Sequence, residues 1–182
     1  LAGFRAESPA DVCVIVRARD ADAARRALAA ARPVIDEDED GKIERWEEYG
    51  PNGELVKAQL SRAKNGVADE TVFVGPDGKV EHVEYFEKSD VTGQMSVVRR
   101  EFFAEDRPTR AEEDTDGDGL MDRFEHYDAS GALIAVELDD NQPFDGKPDR
   151  RLTYSPTGQL LSVETEPDGK GGYLKKVVPG KK

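Results

Sequence analysis

Apolar residues in this chain come in short runs separated by acidic or glycine-bearing stretches. The first run, Val12 to Val16, is continuous and largely β-branched, the composition of a buried strand. Asp20 then stands where it can cap Ala21 to Ala31, whose alanines, Leu28 and paired Arg25 and Arg26 predict an amphipathic helix. Ala21, Ala24, Leu28 and Ala31 share the inner face of that helix, and Pro33 ends it.

From Asp36 onward the chain becomes repetitive. A tyrosine, three residues, a glycine, one residue and an aliphatic recur as Tyr49, Gly53, Leu55, as Tyr127, Gly131, Leu133 and as Tyr154, Gly158, Leu160, with a weaker copy at Val74, Gly78, Val80. The four glycines are 25, 53 and 27 residues apart, so the wide gap holds two periods, with an eroded copy at Ser89 to Glu113 marked by Arg99 and Phe103. About five units of roughly 26 residues result, a period typical of stacked or tandem repeats. Gly50-Pro51-Asn52-Gly53, Gly75-Pro76-Asp77-Gly78, Asp128-Ala129-Ser130-Gly131 and Ser155-Pro156-Thr157-Gly158 carry the residues that chain reversals need. Val80 to Phe86 and Leu133 to Leu138, which follow two of these turns, are β-rich and extended, so each unit is expected to be a hairpin.

The fold class expected from this pattern is α+β, mainly antiparallel β. Residues 1–35 supply a strand and a helix, residues 36–174 supply tandem hairpins forming an extended sheet on which that helix packs, and residues 175–182 form a basic, solvated tail, all in one structural domain. Trp46, Tyr85, Phe86, Phe102, Phe103 and Tyr127 then read as the sheet's core face against the helix. The opposite face is left free for a protein or surface ligand. Exposure of the same aromatics as a ligand surface is the alternative.

The chemistry lies in the acidic stretches between hairpins. Asp114 to Glu125 reads D-T-D-G-D-G-L-M-D-R-F-E, with carboxylates at places one, three, five, nine and twelve and Gly119 at the sixth. A hard divalent cation takes six to eight oxygens at about 2.3–2.6 Å, so a short chain must wrap round it with alternate carboxylates pointing inward. In that frame Asp114, Asp116, Asp118 and Asp122 are ligands, the carbonyl of Leu120 fills the seventh place, and Glu125 closes the far side. Asp36 to Glu47 fills the same frame with Asp36, Asp38, Asp40, the carbonyl of Lys42, Glu44 and Glu47 around Gly41. Two further junctions are degraded. Asn65, Gly66 and Asp69 keep the fifth, sixth and ninth places, but Ser61 and Ala63 replace carboxylates. Asn141, Asp145, Gly146 and Asp149 keep more, as a weak third site, with Pro143 and Leu152 at the third and twelfth places and Asp139 or Asp140 left to compensate.

Composition supports this reading. Acids outnumber bases 39 to 26, for a net charge of −13, which argues against nucleic acid as a partner. Solvated acidic turns are the plainer account, but carboxylates this close repel one another, which favours a bound cation. Cys13, the only cysteine, excludes an internal disulfide and a cysteine-based zinc site, and no stretch approaches the length of a membrane span.

In the D-G-D-G loop, the D-R-aromatic-E that follows it and the tyrosine and turn glycine beyond, residues 36 to 166 resemble the tandem acidic repeats of secreted and cell-envelope bacterial proteins. Asp114 to Gly119 is also similar to the calcium loops of thrombospondin type 3 repeats and dockerins. The resemblance implies a secreted, periplasmic or cell-surface protein whose loops take up Ca²⁺.

The function expected is therefore a calcium-binding structural or binding module rather than an enzyme. An EF-hand sensor is the first alternative, and the three-residue spacing of Trp46 with Tyr49 and of Phe124 with Tyr127 leaves a local helical turn open. The turn that arrives a few residues after Glu47 and Glu125 favours strands. A hydrolase is the second alternative, although His82 and His126, the only histidines, belong to no recognisable catalytic motif.

Overall fold

A computed structural model describes residues 32–89, 93–141 and 145–180. The strand expected at Val12 to Val16, with Cys13, and the helix expected at Ala21 to Ala31 lie outside these residues. The chain divides into two compact units, Leu1–Phe86 and Glu87–Lys182.

The first unit contains β1 (Val34–Ile35), β2 (Arg45–Tyr49), β3 (Leu55–Leu60), β4 (Glu70–Val74) and β5 (Val80–Lys88), the last running two residues past the boundary. The second contains β6 (Met95–Ala104), β7 (Arg107–Glu113), β8 (Arg123–Tyr127), β9 (Leu133–Leu138), β10 (Arg150–Tyr154), β11 (Leu160–Pro167) and β12 (Tyr173–Val177). Within each unit every strand pairs antiparallel with its chain neighbours. The tyrosine-to-leucine marks are hairpins, as the sequence predicts. Each turn closes with a bond between its first carbonyl and its glycine N–H, Gly53 to Gly50, Gly78 to Gly75, Gly131 to Asp128 and Gly158 to Ser155, at 2.9–3.0 Å. A register shift just before each turn is the bulge that this turn type imposes. The eroded copy keeps its hairpin by other means: Glu105 and Asp106, with φ of +51° and +60°, make a two-residue turn without glycine.

The α+β expectation is overturned. The described residues contain no helix, and their strands are all antiparallel, an all-β architecture. Among the described residues the sheet is covered by its own side chains. On one face of the second unit a narrow row, apolar except for the buried Glu125, crosses the strands, with Ala111 opposite Glu125, Glu125 opposite Val136, Val136 opposite Leu152 and Leu152 opposite Val163. On the other face the register sets Arg100, Glu112, Phe124, Glu137, Arg151, Glu164 and Lys176 side by side. Arg110 pairs with Glu112 at 3.0 Å, Arg151 Nε with Glu137 at 2.7 Å and Lys176 with Glu164 at 2.6 Å. The aliphatic stems of such residues cover apolar surface while their charges pair or meet water.

The aromatics expected on one core face are divided between two. In the first unit Tyr85 stands opposite Glu70, two positions along β4 from Val72 and on the same face, whereas Trp46 is on the other face opposite Gln59. In the second unit Phe102 lies on the ladder face under Arg110, whose guanidinium is 4.3 Å from the ring centre, while Tyr127 reaches Glu125 on the opposite face. Strand alternation, with a period of two, separates residues that a helical reading would group. Lys175 and Lys176, expected in a solvated tail, lie on β12 and pair with Glu166 and Glu164.

Hairpin turns and acidic loops alternate along the chain, so within each unit the acidic loops share one end of the strands and the tight turns share the other.

Candidate metal centre

Four connections, at residues 36–44, 61–69, 114–122 and 139–149, are built alike. In each, the N–H of the last residue bonds to the carbonyl just before the first: Glu44 to Ile35, Asp69 to Leu60, Asp122 to Glu113 and Asp149 to Leu138, at 2.8–2.9 Å. The last residue's carboxylate then accepts an N–H from the start of the loop, that of the second residue in three of them, Glu37 to Glu44 at 2.6 Å, Arg62 to Asp69 at 2.8 Å and Thr115 to Asp122 at 3.0 Å, and that of the third in the longer loop, Asn141 to Asp149 at 3.0 Å. This clamp gathers the intervening side chains over the strand ends.

In loop 36–44, Asp36, Asp38, Asp40 and Glu44 each offer an oxygen, all within 4.8 Å of one another. Gly41 at the sixth place has φ of +87°, open to glycine and strained for other residues, and its N–H bonds to Asp36 Oδ2 at 2.9 Å. Glu44 is 3% exposed. Asp36 Oδ1 and Glu44 Oε1 are buried and have no hydrogen-bond partner. A buried carboxylate oxygen without a donor is costly, and a cation is the partner that repays it. These residues fit a divalent cation. The outer carboxylates are already paired: Lys42 Nζ is 2.7 Å from Asp40 Oδ2 and Lys64 Nζ is 3.1 Å from Asp38 Oδ2. The hydrogen bond from Lys42 lowers the Asp40 pKa, and Asp38 raises that of Lys64.

In loop 114–122, oxygens of Asp114, Asp116 and Asp122 come within the same distance. Asp114 is buried, and its two oxygens accept the N–H groups of Gly117 at 2.7 Å and Gly119 at 2.9 Å. Asp122 accepts from the hydroxyl of Thr115 at 2.7 Å as well as from its N–H. Asp118 stands outside this group of three and accepts the N–H of Leu120 at 2.7 Å. Among the described residues none of these carboxylates pairs with a lysine or arginine.

The twelfth-place glutamates are elsewhere. Glu47 lies on β2, where it accepts the Tyr49 hydroxyl at 2.6 Å and pairs with Arg45 at 2.6 Å. Glu125, buried on β8, accepts the Tyr127 hydroxyl at 2.7 Å and pairs with Arg99 at 2.9 Å and Arg123 at 2.7 Å. Burial pushes the Glu125 carboxyl up, but these donors outweigh it and hold its pKa below the ordinary value. Burial and Glu125 push Tyr127 up to about 12. Arg-x-Glu-x-Tyr is thus a strand motif whose alternate side chains meet on one face, a period-two signal visible in both copies. The structure brings Asp36, Asp38, Asp40 and Glu44 together, and Asp114, Asp116 and Asp122. Glu47 and Glu125 are on the sheet, and the Lys42 and Leu120 positions contribute N–H bonds to Asp40 and Asp118.

The degraded junctions keep the clamp. In loop 61–69, Ser61 Oγ and Asn65 bond to each other at 3.2 Å. In loop 139–149 the first place belongs to Asp139, whose Oδ2 accepts Asp145 N–H at 2.8 Å and Gly146 N–H at 2.6 Å while Oδ1 is buried without a partner. The D-G dipeptide points instead to Asn141 as the first place. Counting 25 residues from Asp114, the interval from Asp36 to Ser61, lands on Asp139. Asp145 pairs with Lys147.

No protein-family model matches the chain, and no curated relative matches its sequence. In three dimensions it is similar to part of a crystal structure of the GtfA/B complex bound to UDP and GlcNAc, with 14% identity, 60% of this chain and 22% of that one covered, and a TM-score of 0.41. A second similarity, to accessory secretory protein 1, 2 and 3 of Streptococcus pneumoniae, has 17% identity, covers 58% and 16% of the two chains and has a TM-score of 0.25. The chain spans under a quarter of either structure.

Proposed function

We propose that this chain is a calcium-binding structural or binding module that works outside the cytoplasm, with the ion ordering the loops between hairpins. The observation that carries the reading is the convergence of Asp36, Asp38, Asp40 and Glu44, with one oxygen each of Asp36 and Glu44 buried and lacking a donor. Oxygen-only donors of this charge suit a hard cation, and calcium is abundant outside cells. Asp36, Asp38, Asp40 and Glu44 would hold one ion, and Asp114, Asp116 and Asp122 a second. Bound there, the ion supplies positive charge against carboxylate repulsion. The protein's own contribution is the clamp, which gathers the acids over the strand ends and so reduces the ordering entropy that ion binding must offset.

Ligand binding to the folded state alone stabilises by about 2.7 kcal/mol at a hundred times Kd. Calorimetry with Ca²⁺, and thermal melting in Ca²⁺ and then in chelator, test the proposal. Heat of binding with a melting point several degrees higher in calcium is expected. No heat and an unchanged melting point would refute it. The ladder faces of the sheets, rich in paired charge and aromatic rings, are the surfaces on which a protein or surface ligand would dock.

A further inference from the structure

From the contact between the first two loops we infer that Lys64 is a tethered cation that sets the metal affinity of loop 36–44, so that a divalent ion must displace its ammonium from Asp38. The inference rests on the calcium reading of that loop.

Lys64 is 26 residues from Asp38 in sequence, yet the loops that carry them share one end of the first unit. A side-chain carbon placed on Gly66 would lie 3.6 Å from Lys42 Cβ, so loop 61–69 lies against loop 36–44. Loop 61–69 has lost its own acids at the first and third places, where Ser61 and Ala63 stand, and closes on itself through the Ser61 and Asn65 side chains. It therefore has no call on a cation of its own, and it projects one at its neighbour. Lys64 sits at φ +50°, a backbone state that non-glycine residues seldom take, stabilised by its N–H bond to the Ser61 carbonyl at 3.0 Å. From that turn its Nζ lies 3.1 Å from Asp38 Oδ2.

Asp38 belongs to the group of four acids whose oxygens lie within 4.8 Å of one another. Its ammonium partner neutralises one carboxylate while leaving the buried Asp36 Oδ1 and Glu44 Oε1 without a donor. A monovalent, exposed ammonium on the outer acid and a divalent ion within the group compete for the same carboxylate. Lys42, bonded to Asp40 within the same loop, opposes the ion as well but couples nothing beyond the loop. Lys64 makes occupancy of loop 36–44 depend on the position of loop 61–69.

The test uses the full chain. Trp46, the only tryptophan, lies two residues beyond Glu44, so terbium luminescence excited through tryptophan reports loop 36–44, and calcium competition gives its affinity. Lys64→Met should tighten calcium at this loop about two- to five-fold, the range set by exposed ion pairs, with a smaller gain at high salt. Lys79→Met removes the same charge at the tight-turn end and should change affinity much less. Asp38→Asn should weaken binding. Equal affinities for Lys64→Met and the parent chain, beside weakened Asp38→Asn, would overturn the role of Lys64 while leaving the calcium site standing. Absence of any terbium or calcium signal in the parent chain would overturn both.

Discussion

Loops 36–44 and 114–122 follow one frame of alternate carboxylates and dispose of their negative charge in opposite ways. In loop 114–122 the inner acids are satisfied from within: Asp114 by the N–H groups of Gly117 and Gly119, Asp122 by the N–H and hydroxyl of Thr115. In loop 36–44 the inner acids each keep one buried oxygen without a donor, and lysines sit on the outer acids instead. The cause lies at places whose side chains the frame leaves unspecified. The second place is Thr115 in one loop, with a hydroxyl to give, and Glu37 in the other, with none. The seventh is Leu120 in one and Lys42 in the other. Loop 36–44 therefore has more to gain from an ion than loop 114–122.

The contrast can be broken most forcefully at the strands behind the loops. Glu125→Ala removes the acceptor of Tyr127, Arg99 and Arg123 and should cost about 3 kcal/mol in urea unfolding, as loss of one partner in a buried charged network does. Glu47→Ala, with two partners, should cost about half as much. Calcium affinity measured by calorimetry should survive both, and loss of binding in Glu125→Ala would return the twelfth place to the ligand set.

At the inner acids the two loops should respond with opposite signs. Glu44→Gln turns one side of a group with an unpartnered oxygen into a donor, so in chelator the variant should melt no lower than the parent and gain up to about 1 kcal/mol. Its response to calcium should be lost. Asp114→Asn keeps one acceptor where two N–H groups need them and should cost about 1 kcal/mol in chelator. Equal losses in both would erase the distinction.

Proton linkage sharpens it further. The Glu125 pKa is lower in the folded chain than the ordinary 4.5, so its contribution is complete above that value and is lost as pH falls through the folded pKa. Tyr127 is raised from 10.0 to about 12, so its contribution is complete below pH 10 and is lost as pH rises toward 12. Urea midpoints of the parent chain should fall in both windows, and Tyr127→Phe should reduce the alkaline decline, the rest of which belongs to Tyr49, Tyr173 and the paired lysines. The smallest effect is at Thr115. Thr115→Val removes only the hydroxyl bond to Asp122 and should cost about 0.5–1 kcal/mol by thermal melting, with calcium restoring part of it.

Hairpins, turn positions and the two acid groups are legible in the residue order because each depends on neighbours within about a dozen residues. Tyr-x-x-x-Gly demands a reversal, and D-x-D-x-D demands that carboxylates converge wherever a clamp closes the loop. The helix expected at Ala21 to Ala31 lies outside the described residues, and among those residues cover comes from ladders such as Glu112, Glu137, Arg151 and Glu164, which exist only once strands are in register.

Register is the physical reason for everything else that local reading misses. A slip of one residue moves a side chain to the other face, so whether Glu47 and Glu125 turn toward an ion or toward Tyr49 and Tyr127 is settled by the register in which neighbouring strands pair. The same holds for Lys64 reaching Asp38 and for Asp139 taking the first place of its loop. The acids and turns are written in the chain, and the fold alone chooses which oxygen meets a lysine, an N–H or no donor at all.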